Sequence, residues 1–237
     1  MIFIKQIAIV FFDIIDKFFH QPKILNFLLK NIKYLNLFID VGSHKGTYTD
    51  LILKNFDVKK TYMFEPQKKI FSFIKYKYKN NNNIKIFNNA VSDNEKMKKI
   101  FINKHDLTSS LTKIDKKNSY LNLKAKLFGG DIHDMINDTL MIKCIKLDNL
   151  LKKNKIKKID LLKIDTEGHE LQVMKGLGKY IKNVKYILIE FHISNIYINY
   201  DSKKIHYYLK KNNFSLKKKF KFPFTTWEDR IYFNTKY

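Results

Sequence analysis

Leu37-Phe38-Ile39-Asp40-Val41-Gly42-Ser43-His44-Lys45-Gly46 is the stretch whose reading decides the fold. Leu37, Phe38, Ile39 and Val41 form a short apolar run with β-branched members, as expected of a central parallel strand covered on both faces. Thr47 to Asn55 is helix-compatible, and Gly42 and Gly46 supply permissive backbone on either side of the turn. A strand, a glycine turn and a helix N-terminus together make a nucleotide cradle, because backbone N–H groups and the helix dipole converge there.

The glycine spacing narrows the ligand. Dinucleotide folds carry G-x-G-x-x-G, whose middle glycine lets the backbone approach a pyrophosphate. Here Ser43, His44 and Lys45 separate Gly42 from Gly46, so the middle glycine is missing and a ligand without pyrophosphate fits better. Asp40, the last polar residue of the strand, is expected to point its carboxylate into the cradle, which suits a ligand with an ammonium group. The two features suggest S-adenosylmethionine; the plainer alternative for this segment alone is a glycine turn in any α/β protein.

Working outward, Lys60 to Glu65 reads as a second strand ending in an acid and closed by Pro66. Glu65 stands nineteen residues beyond Gly46, where a strand-end acid can accept hydrogen bonds from both ribose hydroxyls. Gln67 to Lys79 is the next expected helix, and Ile84 to Phe87 a third strand running into Asn88-Asn89-Ala90. An amide there could bond an adenine edge, with Ala90 leaving room for the ring; an Asn-rich turn is the alternative. Ile159 to Ile164 is expected as the fourth parallel strand, with Asp165 at its carboxyl end, Glu167 and His169 just beyond, and a helix from Glu170 that ends near Gly176 and Gly178. Tyr186 to Phe191 is the fifth, delivering Glu190 and His192 to the same rim. Acids and histidines converging on one edge favour catalysis or ligand contact.

Composition bounds the alternatives. With 237 residues and a single cysteine, Cys144, the chain has the length of one α/β domain, and neither an intrachain disulfide nor a C-x-x-C zinc site is possible. A reducing cytoplasm is the default compartment. The net charge of +24 comes almost entirely from lysine, Arg230 being the sole arginine. Arginine is the residue of bidentate phosphate and base recognition, so nucleic acid is not the expected partner, and the lysines read as a solvated surface. Tyr207, Phe220, Phe222, Phe224 and Trp227 could stack bases but fit core and edge packing better.

Residues 1–36 carry an apolar run that lysine and aspartate interrupt, too short for a spanning helix. One or two amphipathic helices broken near Pro22 and capping the sheet are expected, with docking on the inner membrane surface or on a partner as the alternative role. Residues 37–237 form the main domain. Within it, residues 96–140 are irregular and are expected to shape the substrate side, with Lys99 to Asn103 read as a strand and Met141 to Leu147 as another just after. His105, Asp106, His133 and Asp134 read as solvated loop residues, so no metal ligands are assigned. Lys203 to Lys211 as helix, then Phe214 to Phe222 and Asp229 to Phe233 as an antiparallel strand pair, finish the sheet.

Asp40-Val41-Gly42, Glu65-Pro66, Asn89-Ala90-Val91-Ser92, Ser109-Ser110-Leu111, Lys146-Leu147-Asp148 and Leu162-Lys163-Ile164-Asp165-Thr166-Glu167-Gly168, in that order, make residues 37 to 233 resemble the FkbM-type methyltransferases. The resemblance implies a Rossmann-like α/β fold of seven strands with the last reversed, S-adenosylmethionine as methyl donor, and transfer to a hydroxyl of a sugar, glycan or secondary metabolite. It implies that Asp40, Gly42 and Gly46 hold the methionine part, Glu65 the ribose, and Asn89 and Ala90 the adenine, with Asp165 beside the cofactor. His44, in the same turn, is also expected beside the cofactor, and it stands where the family commonly has asparagine. For the chemistry, Asp165 is the first expectation as base or acceptor orienter and His169 or His192 the second, with Glu190 on the same rim. Amino-group methylation of RNA or DNA would call for a Pro-Pro-aromatic turn where Asp165-Thr166-Glu167-Gly168 stands; a cofactor-binding module without catalysis is the non-enzyme alternative.

Overall fold

The computed structural model describes residues 10–12, 14–103, 109–127, 136–194, 196–223 and 225–237. His105, Asp106, His133, Asp134 and Phe224 lie outside the described residues.

The buried apolar runs become the strands that they predict. β1 (Phe38–Val41), β2 (Thr61–Phe64) and β3 (Ile84–Phe87) pair in parallel on one side. β1 continues in parallel to β7 (Ile159–Ile164) and then β8 (Val184–His192) on the other. β9 (Phe214–Lys221) and β10 (Trp227–Asn234) close the sheet in the order β3-β2-β1-β7-β8-β10-β9. β10 runs antiparallel to both neighbours, so the last strand is inserted in reverse. The arrangement is the expected seven-stranded, mostly parallel α/β sheet. Its order reverses direction at β1, and the crevice at the carboxyl ends of β1 and β7 is the place where open α/β sheets bind ligands.

Helices cover both faces. α1 (Gln21–Asn31) lays Ile24 and Leu28 against Phe38, Leu161 and Ile231. Pro22 does not break it. A π-helical turn over Asp16–His20 leads directly into α1, and Pro22 occupies its first turn, where a missing N–H is tolerated. His20 in that turn is buried and bonds Asp229 of β10 at 2.7 Å, which pins the N-terminal segment to the sheet, while Phe11, Phe18 and Phe19 are more than half exposed. The ring of His20 also meets Phe222 and Trp227, which stack on each other at 4.3 Å, so these two aromatics are packing residues. α2 (Thr47–Asn55) follows the glycine turn and α3 (Lys68–Lys77) follows β2.

The two strands expected around the irregular segment form, each starting earlier than expected, and they belong to one sheet. β4 (Ala90–Val91), β5 (Met97–Asn103) and β6 (Ile136–Ile145) form a second sheet in the order β4-β6-β5, around a small core of Ala90, Ile100, Ile142 and Cys144. α4 (Ser119–Leu127) lies between its strands in sequence. α5 (Leu147–Lys153), α6 (Glu170–Gly176) and α7 (Ser202–Lys211) complete the helices that follow. Among the described residues no helix is long and apolar enough to cross a membrane.

Candidate functional site

A cleft with about 770 Å³ of empty volume opens at the carboxyl ends of β1, β2 and β7. Its floor is the turn after β1. Gly42 has φ +83°, and a Cβ on it would sit 1.8 Å from the Asp165 carbonyl oxygen, so a side chain has no room there. The Gly42 and Ser43 N–H groups both donate to the Phe64 carbonyl, which ties the turn to β2.

Glu65, Asn89 and Ala90 line this cleft together. The Glu65 carboxylate accepts from the Gln67 N–H at 2.8 Å and from the His44 N–H at 3.1 Å, so its two oxygens are aimed by backbone. Burial pushes its pKa up to about 7, against the lowering effect of those two donors. His44 lines the cleft with φ 43°, and its backbone N–H helps to orient Glu65. Asn89 bonds the Lys143 carbonyl at 3.3 Å and faces the cleft beside Ala90.

Asp40 is placed differently from its expectation. It is fully buried and outside the cleft lining, with Oδ2 accepting from Thr49 Oγ1 of α2 at 2.7 Å and Oδ1 3.8 Å from Lys163 Nζ. The reason is strand parity: Asp40 faces the opposite side of β1 from Ile39 and Val41, toward α2. Its pKa is raised by burial, because a lysine at 3.8 Å compensates it poorly. Gly46 likewise lies behind the cleft, as the left-handed N-cap of α2, where its carbonyl accepts from Tyr78 Oη.

Lys163 has no role in the sequence reading beyond its motif, and the structure gives it one. It is buried on β7 opposite Asp40 in register, and its ammonium donates to Asp165 Oδ2 at 2.9 Å. Burial opposes its charge, yet Asp165 and Asp40 hold its pKa above the ordinary lysine value. Asp165 thus stands on the cleft wall against a fixed cation. His169 lines the same wall, bonded to Ser92 Oγ at 2.9 Å; burial, with Lys98 adding, brings its pKa down to about 4, so it is neutral at pH 7.

Glu190 and His192 are not among the residues that line the cleft with Asp165 and His169, although Asp165 is near enough to act on Glu190. They sit beyond them with Glu167, at the ends of β8 and of the loop after β7. His192 Nε2 is 3.6 Å from Glu167 Oε2 and 3.5 Å from Glu190 Oε1. Burial raises the Glu190 pKa well above the ordinary range, with Asp165 and Glu167 adding to it. Tyr197, to which the sequence gave no role, is 3% exposed; its hydroxyl donates to Glu167 Oε2 and its ring lies 4.9 Å from that of His192. Ser110 Oγ and Thr112 Oγ1 donate to the Glu167 and Gly168 carbonyls, so the Ser109-Ser110-Leu111 turn braces the loop that carries Glu167.

A reversed seventh strand and a ligand cleft over β1 define a Rossmann-like methyltransferase. Residues 40–216 match the methyltransferase FkbM domain, and the chain belongs to that family. S-adenosylmethionine is the methyl donor of the family. A solved FkbM methyltransferase from Methylobacillus flagellatus superposes with a TM-score of 0.53 at 15% identity, over 84% of this chain and 43% of that one. The structure of TrmK from M. capricolum, determined with S-adenosylhomocysteine, superposes at 0.51 with 12% identity, over 90% of this chain and 68% of that one. Identities this low show the shared fold. A hexuronic acid methyltransferase, AglP of Haloferax volcanii, is 35% identical over 54 residues, which is 23% of either protein. The chain therefore matches less than half the length of either the curated relative or the solved FkbM protein.

The cleft fits the donor. It is lined by a buried carboxylate, Glu65, beside Asn89 and Ala90, and no Cβ intrudes at Gly42.

Proposed function

We propose that the chain is an O-methyltransferase acting on a hydroxyl of a sugar, glycan or secondary metabolite. The observation that carries this reading is the wall of Asp165 and His169, with Glu167 beside them, at the mouth of a donor cleft. The partial similarity to a hexuronic acid methyltransferase supports a sugar-like acceptor.

S-adenosylmethionine supplies a methyl carbon activated by its sulfonium, so the oxygen–carbon bond forms as the carbon–sulfur bond breaks. Glu65 would hold the ribose, Asn89 and Ala90 would flank the adenine, and Gly42 would leave space for the methionine part. The protein then has to align the acceptor oxygen, exclude water and receive one proton. Asp165 takes that proton in this reading, because its carboxylate is held ready by Lys163 Nζ. His169 is the second candidate, already neutral and able to accept. Asp40, displaced from the cleft, would act through Lys163 as part of the support beneath Asp165.

The test is an acceptor screen with labelled donor against free sugars, glycans and sugar nucleotides, with transfer RNA and oligonucleotides alongside. Methylation of a carbohydrate hydroxyl is the expected result, and transfer confined to RNA would overturn the reading. Donor binding without turnover on any acceptor would leave a binding module.

The reading also fixes a pH dependence. Two ribose hydroxyls can donate to the two oxygens of a carboxylate with charge assistance, whereas the protonated form turns one of those oxygens into a donor, so donor binding favours ionised Glu65. Affinity for S-adenosylmethionine should rise with pH through about 7, the pKa of Glu65 in the empty cleft. The gain from pH 6 to pH 8 is expected to be about tenfold, the limit for one linked proton. Calorimetry at the two pH values measures it, and Glu65→Gln should bind more weakly with the slope removed.

A further inference from the structure

Glu190 and His192 are two apart on β8, so their side chains leave the same face of the strand. β7 is its parallel neighbour, and the loop after β7 brings Glu167 across to them. One donor atom from each of the three lies within 4.8 Å of the others. We propose that Glu167, Glu190 and His192 form a divalent-cation site on the acceptor side of the cleft.

The separations carry the argument. His192 Nε2 stands 3.6 Å from Glu167 Oε2 and 3.5 Å from Glu190 Oε1. Charge-assisted N–H···O bonds are about 2.7–2.9 Å, so neither separation is such a bond. A tetrahedral cation with bonds of about 2.1 Å holds neighbouring ligand atoms about 3.4 Å apart, close to both His192 separations, and the two carboxylates lie within 4.8 Å of each other. The donor set is apt as well: carboxylates suit magnesium and manganese, imidazole suits zinc and iron, and two of one with one of the other suits a small first-row divalent ion.

The surroundings supply what such a site needs. Tyr197 donates its hydroxyl to Glu167 Oε2, an outer contact of the kind that orients a ligating carboxylate. Asp165, Glu167 and Asp229 all raise the cost of charge on Glu190, and Lys163, which opposes them, is already shared by Asp165 and Asp40. This corner is acid-rich in a chain of net charge +24, so a bound cation would relieve a local surplus. The Glu167 and Glu190 side chains keep 15% and 16% exposure, and Glu167 lines the cleft, which leaves an open side. Three protein ligands with an open position is the form of a catalytic metal site. An acceptor oxygen in that position would be polarised and would lose its proton more readily to Asp165. This role rests on the O-methyl-transfer reading; the binding itself does not.

The full chain, stripped with EDTA and then freed of it, is titrated with Mn²⁺ in the absence of methyl donor, by calorimetry and by loss of the free-ion EPR signal. One saturable site per chain is expected. Glu190→Gln and His192→Gln should each weaken Mn²⁺ by roughly tenfold or more, a loss at least as large as outer-contact changes cause. Both should keep their affinity for S-adenosylmethionine measured in EDTA. Absence of saturable Mn²⁺ binding by the wild-type chain overturns the site, leaving a histidine packed between two carboxylates. Unchanged Mn²⁺ affinity in either folded variant overturns it too. The wild-type titration alone decides the matter if the variants do not fold. Failure of donor binding with Mn²⁺ binding intact would instead remove the functional reading and keep the site.

Discussion

Asp165→Asn should lower kcat by about 10²- to 10⁴-fold, the range that a positioned base contributes, with little change in donor affinity. The amide keeps an oxygen for the ammonium of Lys163, which lies 2.9 Å from Asp165 Oδ2, so the wall keeps its shape and loses its ability to take a proton. In the proposed reading donor affinity rests elsewhere, on Glu65, whose carboxylate the His44 and Gln67 N–H groups aim. Single-turnover kinetics with labelled donor, paired with calorimetry, separates the two effects. Full activity in the variant would remove Asp165 from the chemistry and pass the role to His169. In that case the rate of the wild type should fall as His169 protonates, toward its pKa of about 4.

The central parallel strands were legible because burial on both faces writes a simple signature. Phe38–Val41, Ile159–Ile164 and Thr61–Phe64 are apolar runs bounded by glycine, proline or acid, and all three are buried throughout. The family resemblance added the order of the strand ends and the reversed last strand. The small sheet was legible in part: Lys99 to Asn103 and Met141 onward read as strands, but β5 and β6 begin earlier, at Met97 and Ile136, where exposure and lysines such as Lys98 blur the alternation, and β4 is only two residues long.

The site divided along similar lines. Residues that a strand end must carry, Glu65 and Asp165, line the cleft. Asp40 shows the limit of that rule: one residue earlier on a strand reverses the side, and the sequence does not say which side the cleft occupies. Lys163 was hidden inside a motif, since a lysine in an apolar strand carries no sign of whether an acid waits opposite it. Tyr197 lay in a loop without period, and its partnership with Glu167 depends on a contact across thirty residues. Grouping Asp165, His169, Glu190 and His192 on one rim followed from topology alone. The geometry puts Asp165 and His169 in the cleft lining and joins Glu190 and His192, on a strand one step further from β1, to that lining through Glu167.

Gly42→Ala is expected to be the most damaging single substitution in the cleft. Its Cβ would stand 1.8 Å from the Asp165 carbonyl oxygen, and the backbone atoms it meets cannot rotate away as a side chain would. The φ of +83° adds about 1–2 kcal/mol for a residue with a Cβ, but the clash is the larger effect. Relieving it requires β1 and β7 to separate at their ends, breaking the bond from the Asp165 N–H to the Val41 carbonyl at 3.0 Å and moving the proposed base. Gly46→Ala provides the contrast. Its Cβ would meet Tyr78 Oη at 2.5 Å, the far end of a side chain that can swing toward solvent, at φ +75°. Gly46→Ala should therefore fold, melt a few degrees lower and bind S-adenosylmethionine nearly as well. Gly42→Ala should either fail to give folded protein or bind the donor more than about 100-fold more weakly, since the donor would meet a floor displaced by an ångström or more. Thermal melts and donor calorimetry on the pair would decide between strain and collision, because φ is nearly the same at the two glycines and what lies in front of them is not.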